Sequence, residues 1–166
     1  MDDQQKPTGE KETAEAAQKL LQRPSLEEAT AQMQSIVEQI AAVASDLIPG
    51  MKWEWVDERS RHDCPKPYDQ TDGQAMSLPN YWARNTPIPD DQWPQFIARV
   101  RPIAATVGAI APETMQDKPG AHDLWFYNND DGTTIKIASD KATVISGRTG
   151  CRLPADRFNS PTRPTP

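Results

Sequence analysis

Two stretches of the 166-residue chain hold the side chains that could do chemistry. The first, residues 59–69, contains a cysteine, a histidine, two arginines and a Pro-x-Pro turn, and the second, residues 146–154, contains the other cysteine. His62, Asp63 and Cys64 are residue types that bind zinc. Adjacent residues in an extended chain point in opposite directions, however, and rarely bind one tetrahedral ion. We therefore predict no metal site here.

The pair Cys64 and Cys151 leaves two alternatives open. In a reducing compartment they would be separate buried thiols, and in an oxidising compartment they would form one disulfide. Each cysteine lies in a proline- or glycine-rich loop with arginines rather than in an apolar element, which favours the disulfide. The bond would close a loop of about 87 residues and stabilise the fold by roughly 4–5 kcal/mol. It would also remove the thiolate that a nucleophilic pair of Cys64 with His62 or His122 needs.

Four arginines beside the cysteines would be brought together by this disulfide. Arginine pairs well with carboxylate and phosphate groups, so the surface could bind an anion or a partner. Alternatively, the arginines form weak salt bridges with Asp63, Asp69 and Asp72 that order the loop. The candidate binding patch consists of Arg59, Arg61, His62, Asp69, Arg148 and Arg152. We predict no catalytic residue and no cofactor, because the chain has no phosphate-binding glycine loop and no His-Glu-x-x-His or Cys-x-x-Cys motif.

Composition divides the chain into three parts. All five tryptophans lie between residues 53 and 125, whereas both ends are polar. We predict a disordered tether over residues 1–24 (with weak helical propensity over 13–21), one domain over residues 25–153 and a disordered proline-rich tail over residues 154–166. The net charge of −6 argues against a nucleic-acid binder, which needs a basic face. The chain has no run of about 20 apolar residues that could span a membrane and no hydrophobic export signal.

Two amphipathic helices are predicted. Ser25 caps the first, Glu28 follows three positions later, and apolar residues recur at spacings of three and four as far as Pro49. The same apolar seam could form a coiled-coil tether, but its width favours a helix packed on a sheet. The second helix begins near Trp93 and ends at Gly108.

Five strands are predicted from alternating patterns and turn residues: 51–57, 74–84, 122–128, 133–138 and 143–147. The element order is therefore αββαβββ. This order predicts an α+β two-layer sandwich, in which an antiparallel sheet of about five strands carries both helices on one face. Trp125 and Tyr127 alternate with Leu124 and Phe126, so we expect these two aromatic side chains on the open face.

Three motifs together resemble the LppA-like family of mycobacterial lipoproteins: residues 61–69, Asp72-Gly73-Gln74 and residues 146–154. The resemblance covers roughly residues 25–154. It implies an exported protein that an N-terminal lipid anchors to the outer side of the cytoplasmic membrane. The sequence lacks the family's signal peptide and lipidated cysteine, so the anchor is implied by the resemblance alone. The family has no established enzymatic activity, and no catalytic residue is carried over.

We therefore predict a noncatalytic, monomeric domain of a cell-envelope lipoprotein. Its partner would be an envelope protein or a small ligand, bound through the cysteine-loop surface and the open sheet face, and not a nucleic acid. The alternative is a small envelope hydrolase or metal-dependent enzyme that uses His62 and Asp63. Titration of thiols in the unfolded, unreduced protein bears on this choice, because two free thiols would exclude the disulfide and restore the cysteine and metal options.

Overall fold

The computed structural model describes residues 6–158 of the chain. These residues form three α-helices, eight β-strands and one short 3-10 helix over Ala155–Arg157. The helices are α1 (Glu10–Leu21), α2 (Leu26–Leu47) and α3 (Trp93–Ala105). The strands are β1 (Trp53–Val56), β2 (Ser60–Asp63), β3 (Gln74–Ser77), β4 (Asn80–Ala83), β5 (Ala111–Lys118), β6 (Ala121–Tyr127), β7 (Thr134–Ser139) and β8 (Thr143–Arg148).

The strands form one antiparallel sheet in the order β1-β4-β8-β7-β6-β5. The β2–β3 pair joins this sheet where Ser77 of β3 lies opposite Arg148 of β8. The main core lies between the sheet and the two helices α2 and α3. Its fully buried side chains include Val37, Ile40, Phe96, Val100, Phe126, Ile135, Ile137 and Ile145. The predicted α+β class with an antiparallel sheet is confirmed.

The predicted number of five strands is wrong, because β2 and β5 were not predicted and residues 74–84 form two strands. Both missed strands lack the alternation of apolar and polar residues that identifies a half-buried strand. Three of the four β2 side chains are exposed, and the β5 edge strand is exposed along nearly its whole length. The segment 74–84 is interrupted at Pro79, which cannot donate a backbone hydrogen bond to a neighbouring strand.

The two predicted helices are present as α2 and α3. The Ser25 hydroxyl accepts a hydrogen bond from the backbone N–H of Glu28 at 3.1 Å, as expected of an N-cap. The apolar side of α2 packs into the main core, so this helix lies on the sheet and does not form a coiled-coil tether. Leu124 and Phe126 are buried in the core, while Trp125 and Tyr127 are half-buried on the opposite face, as predicted.

The prediction of a disordered tether is wrong for residues 10–21, which form helix α1. The predicted disordered tail is likewise wrong at its start, where Ala155–Arg157 form a 3-10 helix. Residues 1–5 of the tether and residues 159–166 of the tail lie outside the described residues. One side of α1 is buried, through Thr13, Ala16 and Leu20. Ala16 and Leu20 form a second apolar cluster with Cys64, Tyr68, Cys151 and Leu153. Helix α1 is therefore held by contacts with the two cysteine segments.

We expect Leu20→Ala to lower the free energy of unfolding by about 2 kcal/mol, because Leu20 is fully buried and its removal leaves a cavity. Urea denaturation measures this change. Leu21→Ala is the matched control, since Leu21 is 39% exposed and its loss should change stability by no more than about 0.5 kcal/mol. Equal effects of the two substitutions would show that α1 does not dock in solution.

Candidate functional site

The two cysteines form a disulfide, as predicted. The Cα atoms of Cys64 and Cys151 are 5.8 Å apart and the sulfur atoms are bonded, although 87 positions separate the residues in sequence. Both cysteines are buried, and neither is a free thiol. The bond joins the loop that follows β2 to the segment that follows β8. A thiolate nucleophile at Cys64 is therefore not present in the oxidised protein.

One arginine that the sequence assigned to the tether holds the segments around the disulfide. The Arg23 guanidinium donates hydrogen bonds to the Tyr68 hydroxyl at 2.8 Å and to the Cys151 carbonyl at 3.2 Å. It also lies over the Tyr68 ring, 5.0 Å from the centroid, and donates to the Asp130 carbonyl at 3.3 Å. No sequence motif marked this residue, because its partners are 45 to 128 positions away.

A cleft of about 590 Å³ lies beside the disulfide, and we call it the disulfide cleft. Three segments and two single residues line it: residues 64–68, residues 129–134 without Thr133, residues 148–151, Ala75 and Lys19. Its walls are thus the cysteine loop, the β6–β7 turn and the end of β8, with α1 at the rim. A volume of this size is in the range of small-molecule sites in proteins.

Arg152 holds the turn between β6 and β7 against the end of β8. Its guanidinium donates to the Asp131 carboxylate at 2.7 Å, and the two side chains are only 12% and 6% exposed. The backbone carbonyl of Asp131 accepts from the Cys151 N–H at 3.0 Å. Gly150 lies so close to Asp131 that a side chain there would collide with the Asp131 backbone. Arg152 is therefore a structural residue that positions one wall of the cleft.

The structure places the other residues of the predicted patch at several separate positions. Arg148 lines the disulfide cleft, whereas Arg61 and Asp69 line a smaller pocket of about 280 Å³ on the other side of Cys64. Arg59 is exposed just before β2. The patch is therefore not continuous, and whether any of its residues binds a ligand stays a prediction.

Asp69 connects the cysteine loop to the start of the described chain. Its carboxylate accepts hydrogen bonds from the backbone N–H of Thr8 at 3.1 Å and from the Thr8 hydroxyl. Burial acts to raise the pKa of Asp69, but the hydrogen bonds from Thr8 and Gln70 together hold it below its ordinary value. The chain therefore enters the fold directly beside the cysteine loop.

His62 lies next to two hydroxyl groups. Its Nε2 atom is 2.9 Å from the Ser77 hydroxyl and 3.1 Å from the Ser60 hydroxyl. The neighbouring Asp63 accepts a long hydrogen bond of 3.5 Å from the Gln74 amide. Across residues 6–158, no group of three or more His, Cys, Asp or Glu side chains is arranged to hold a metal ion. Chemically, the His62 site could only polarise a serine hydroxyl.

His122 lies between two carboxylates at the β5–β6 hairpin. Its Nδ1 is 2.8 Å from Asp117 and its Nε2 is 2.7 Å from Asp90, while the ring stacks on Trp93 with centroids 4.7 Å apart. Each ring nitrogen of His122 thus faces a carboxylate, and an ionised carboxylate accepts hydrogen bonds but cannot donate them. The Asp90 contact fixes the hairpin to the loop before α3. Because both ring nitrogens are engaged, neither is left to act as the base that activates a nucleophile.

We expect Asp90→Asn to lower the melting temperature at pH 6, and we expect the deficit to shrink as the pH falls below about 4. The Gly120 N–H and then the His122 ring hold the pKa of Asp90 below its ordinary value of 3.8. A carboxyl with a lowered folded-state pKa stabilises above its unfolded pKa and loses that effect as pH falls through the folded value. Thermal denaturation from pH 6 to pH 3 measures the effect, with exposed Asp91→Asn as control. A deficit that is independent of pH would contradict this account.

The open face of the sheet carries an aromatic surface, which we define as Trp82, Trp125 and Tyr127. The Lys136 ammonium lies 3.9 Å from the Trp125 ring centroid, and the Arg84 guanidinium lies 5.0 Å from that of Trp82. The indole N–H of Trp82 is buried and has no hydrogen-bond partner among the described residues. The predicted use of this face for binding stays a prediction.

A disulfide-bonded α+β domain is typical of proteins that fold in an oxidising compartment. This chain belongs to the LppA family, which is described as a lipoprotein confined to pathogenic Mycobacterium and whose model matches residues 1–155. The family membership confirms the predicted resemblance and supports an envelope lipoprotein. Within residues 6–158, no helix has the length and apolar character needed to cross a membrane.

Two solved structures share the fold. The lipoprotein LppA of Mycobacterium tuberculosis is similar with a TM-score of 0.72 at 17% sequence identity, over 87% of this chain and 88% of that chain. A DUF4853 family protein from Actinomyces odontolyticus is similar with a TM-score of 0.58 at 15% identity, over 85% of this chain and 76% of the other. No curated protein matches the chain.

Proposed function

We propose that this chain is the water-facing domain of an envelope lipoprotein and that it binds a small ligand or a partner group in the disulfide cleft without catalysis. The cleft itself is the observation that carries the proposal. It combines a volume of about 590 Å³ with walls that are fixed by a disulfide and by the buried Arg152–Asp131 ion pair. Rigid walls favour binding because little conformational entropy is lost when a ligand enters.

The composition of the cleft supports recognition rather than reaction. Its side chains include prolines, a tyrosine, the disulfide, threonines and cations, together with Asp130 and Asp131. Asp131 is engaged by Arg152, and Asp130 lies 3.7 Å from Arg23. No histidine or free thiol lies among the lining residues, so the cleft offers neither an imidazole base nor a thiolate nucleophile.

Capture from mycobacterial envelope extract tests this function. The oxidised chain is incubated with extract, recovered and examined for bound proteins and small molecules by mass spectrometry. Thr134→Trp should abolish the captured species, because the indole fills the cleft that Thr134 lines. Thr106→Trp is the matched control, since Thr106 is exposed at the end of α3. Capture that survives Thr134→Trp would place binding elsewhere and refute the proposal.

We further infer that the native protein is attached to the envelope by an N-terminal lipid. The family description supports this inference, and the entry of the chain beside the cysteine loop, through Thr8 and Asp69, is compatible with attachment at that end. Metabolic labelling of the native protein with a clickable fatty acid tests it. A native protein that takes up no label would contradict the anchor.

A hydrolase is the second candidate, and one observation favours it. The distance of 2.9 Å between His62 Nε2 and the Ser77 hydroxyl is the spacing at which a base can activate a serine. It ranks second because the same nitrogen also contacts Ser60, and the ring has no carboxylate partner among the described residues that would orient it. Labelling by a fluorophosphonate probe that Ser77→Ala abolishes would establish this candidate, and absence of labelling would exclude a serine hydrolase.

A further inference from the structure

We propose that the disulfide cleft recognises a phosphate group on a small organic molecule. This inference rests on the binding role proposed above and adds the chemical class of the ligand. It follows from two features of the cleft. Some of its cationic side chains have no counter-charge within the protein, and apolar surface lies beside them.

The cations of the cleft exceed its available carboxylates. Lys19 and Arg148 line the cleft, and neither the Lys19 ammonium nor the Arg148 guanidinium forms a hydrogen bond or ion pair with the described part of the chain. The buried Asp131 carboxylate is neutralised by Arg152 at 2.7 Å. Asp130 is 82% exposed and lies nearest to Arg23. The charge that remains for a ligand is therefore positive, in a protein whose net charge is −6.

The backbone at the end of β8 cannot supply the anion-binding groups. The N–H of Thr149 donates to the Met76 carbonyl at 2.9 Å, that of Gly150 to the Thr133 hydroxyl at 3.1 Å, and that of Cys151 to the Asp131 carbonyl at 3.0 Å. At this end of the cleft, the cationic side chains are therefore the groups that can contact an anion. Arg148 is half-buried on a strand, and its guanidinium can make bidentate contact with phosphate oxygens, which the Lys19 ammonium supplements as a point charge.

The rest of the cleft is suited to the organic part of such a ligand. Pro65 and Pro67 are exposed and present apolar surface to the cleft, whereas the disulfide and the Tyr68 ring behind them are largely buried. A site that offers cations to a phosphate and an apolar wall to the attached group fits a phosphorylated small molecule or the headgroup of a phospholipid. Both sources share the same chemistry, and the entry of the chain beside this loop makes the headgroup accessible to an anchored protein.

Calorimetric titration of the oxidised chain with glycerol 3-phosphate tests the inference, with glycerol as the probe that lacks the phosphate. Cosedimentation with phosphatidylcholine vesicles, with and without phosphatidic acid, forms the second arm. We expect saturable binding of glycerol 3-phosphate or selective binding to the phosphatidic acid vesicles, weakened by added salt. Binding of glycerol 3-phosphate would show that a free phosphate compound is a sufficient ligand. Binding to the phosphatidic acid vesicles alone would identify the lipid headgroup as the ligand.

Lys19→Gln and Arg148→Gln should each raise the dissociation constant about tenfold. The control pair, Lys52→Gln and Lys141→Gln, removes the same charge from exposed residues outside the cleft and should leave binding unchanged. Circular dichroism establishes that the variants are folded. Absence of binding in both arms, or equal weakening by the control pair, would overturn the inference. If envelope capture still depends on Thr134, the binding role stands and only the phosphate assignment fails.

Discussion

Replacing both cysteines, Cys64→Ser with Cys151→Ser, is expected to lower the free energy of unfolding by about 4 kcal/mol. The bond joins residues 87 positions apart, so its loss gives the unfolded chain much more conformational freedom. The effect is large beside the stability of an ordinary domain, which is about 5–15 kcal/mol. Urea denaturation, followed by tryptophan fluorescence, measures it.

The loss should spread from the disulfide to helix α1. Ala16 and Leu20 of α1 share one apolar cluster with the two cysteines. The packing is tight there, because a Cβ added at Gly73 would be 2.5 Å from the Cys151 sulfur and 2.9 Å from Leu20. We therefore expect amide hydrogen exchange in α1 to accelerate more than exchange in α3, which packs in the main core. Wild-type protein in a reducing agent is the control and should behave like the double variant. A stability change below about 1 kcal/mol would mean that the bond barely constrains the unfolded chain.

Arg152→Met is expected to lower the free energy of unfolding by about 3 kcal/mol, because it leaves a buried carboxylate without its counter-charge. Asp131 is only 6% exposed and the two side chains meet at 2.7 Å. The same substitution should release the β6–β7 turn from the end of β8 and reduce ligand binding in the disulfide cleft. Urea denaturation measures the stability change, and capture from envelope extract measures the binding.

A double-mutant cycle identifies the cause. Arg152→Met combined with Asp131→Asn removes both charges and should recover part of the lost stability, since the uncompensated carboxylate is gone. Arg99→Met is the matched control: Arg99 pairs with Asp46 at the same 2.7 Å, but both side chains are exposed, so the expected loss is below about 1 kcal/mol. Equal losses for Arg152→Met and Arg99→Met would show that burial contributes nothing to the Arg152 pair.

Much of the scaffold was predictable, because it follows from local patterns. The apolar periodicity of α2 and α3 and the alternation in β6, β7 and β8 identify elements that bury one side. Strands β2 and β5 carry no such pattern, because they lie where the sheet meets water. Helix α1 looked like a polar tail because its few buried residues, Ala16 and Leu20 among them, are covered only by distant segments.

The candidate site was predictable only in part. The sequence indicated the disulfide and located Arg148, but it treated Arg152 as a binding residue. In the structure Arg152 is turned toward Asp131, which lies in the predicted β6–β7 turn. Arg23 and Lys19 fell within the predicted tether, so their roles beside the disulfide were not foreseen. Side-chain partners separated by many residues leave no mark in a local pattern.

The sequence by itself determined the helices α2 and α3 and the strands with alternating apolar residues, pointed to the family and favoured a disulfide, because these follow from local periodicity and from motifs that can be read along the chain. Only the tertiary structure decided that α1 is part of the fold, that the arginines divide between a structural ion pair and an open cleft, and that His122 is enclosed by two carboxylates. The physical reason is that burial and the pairing of charges depend on which segments meet in space.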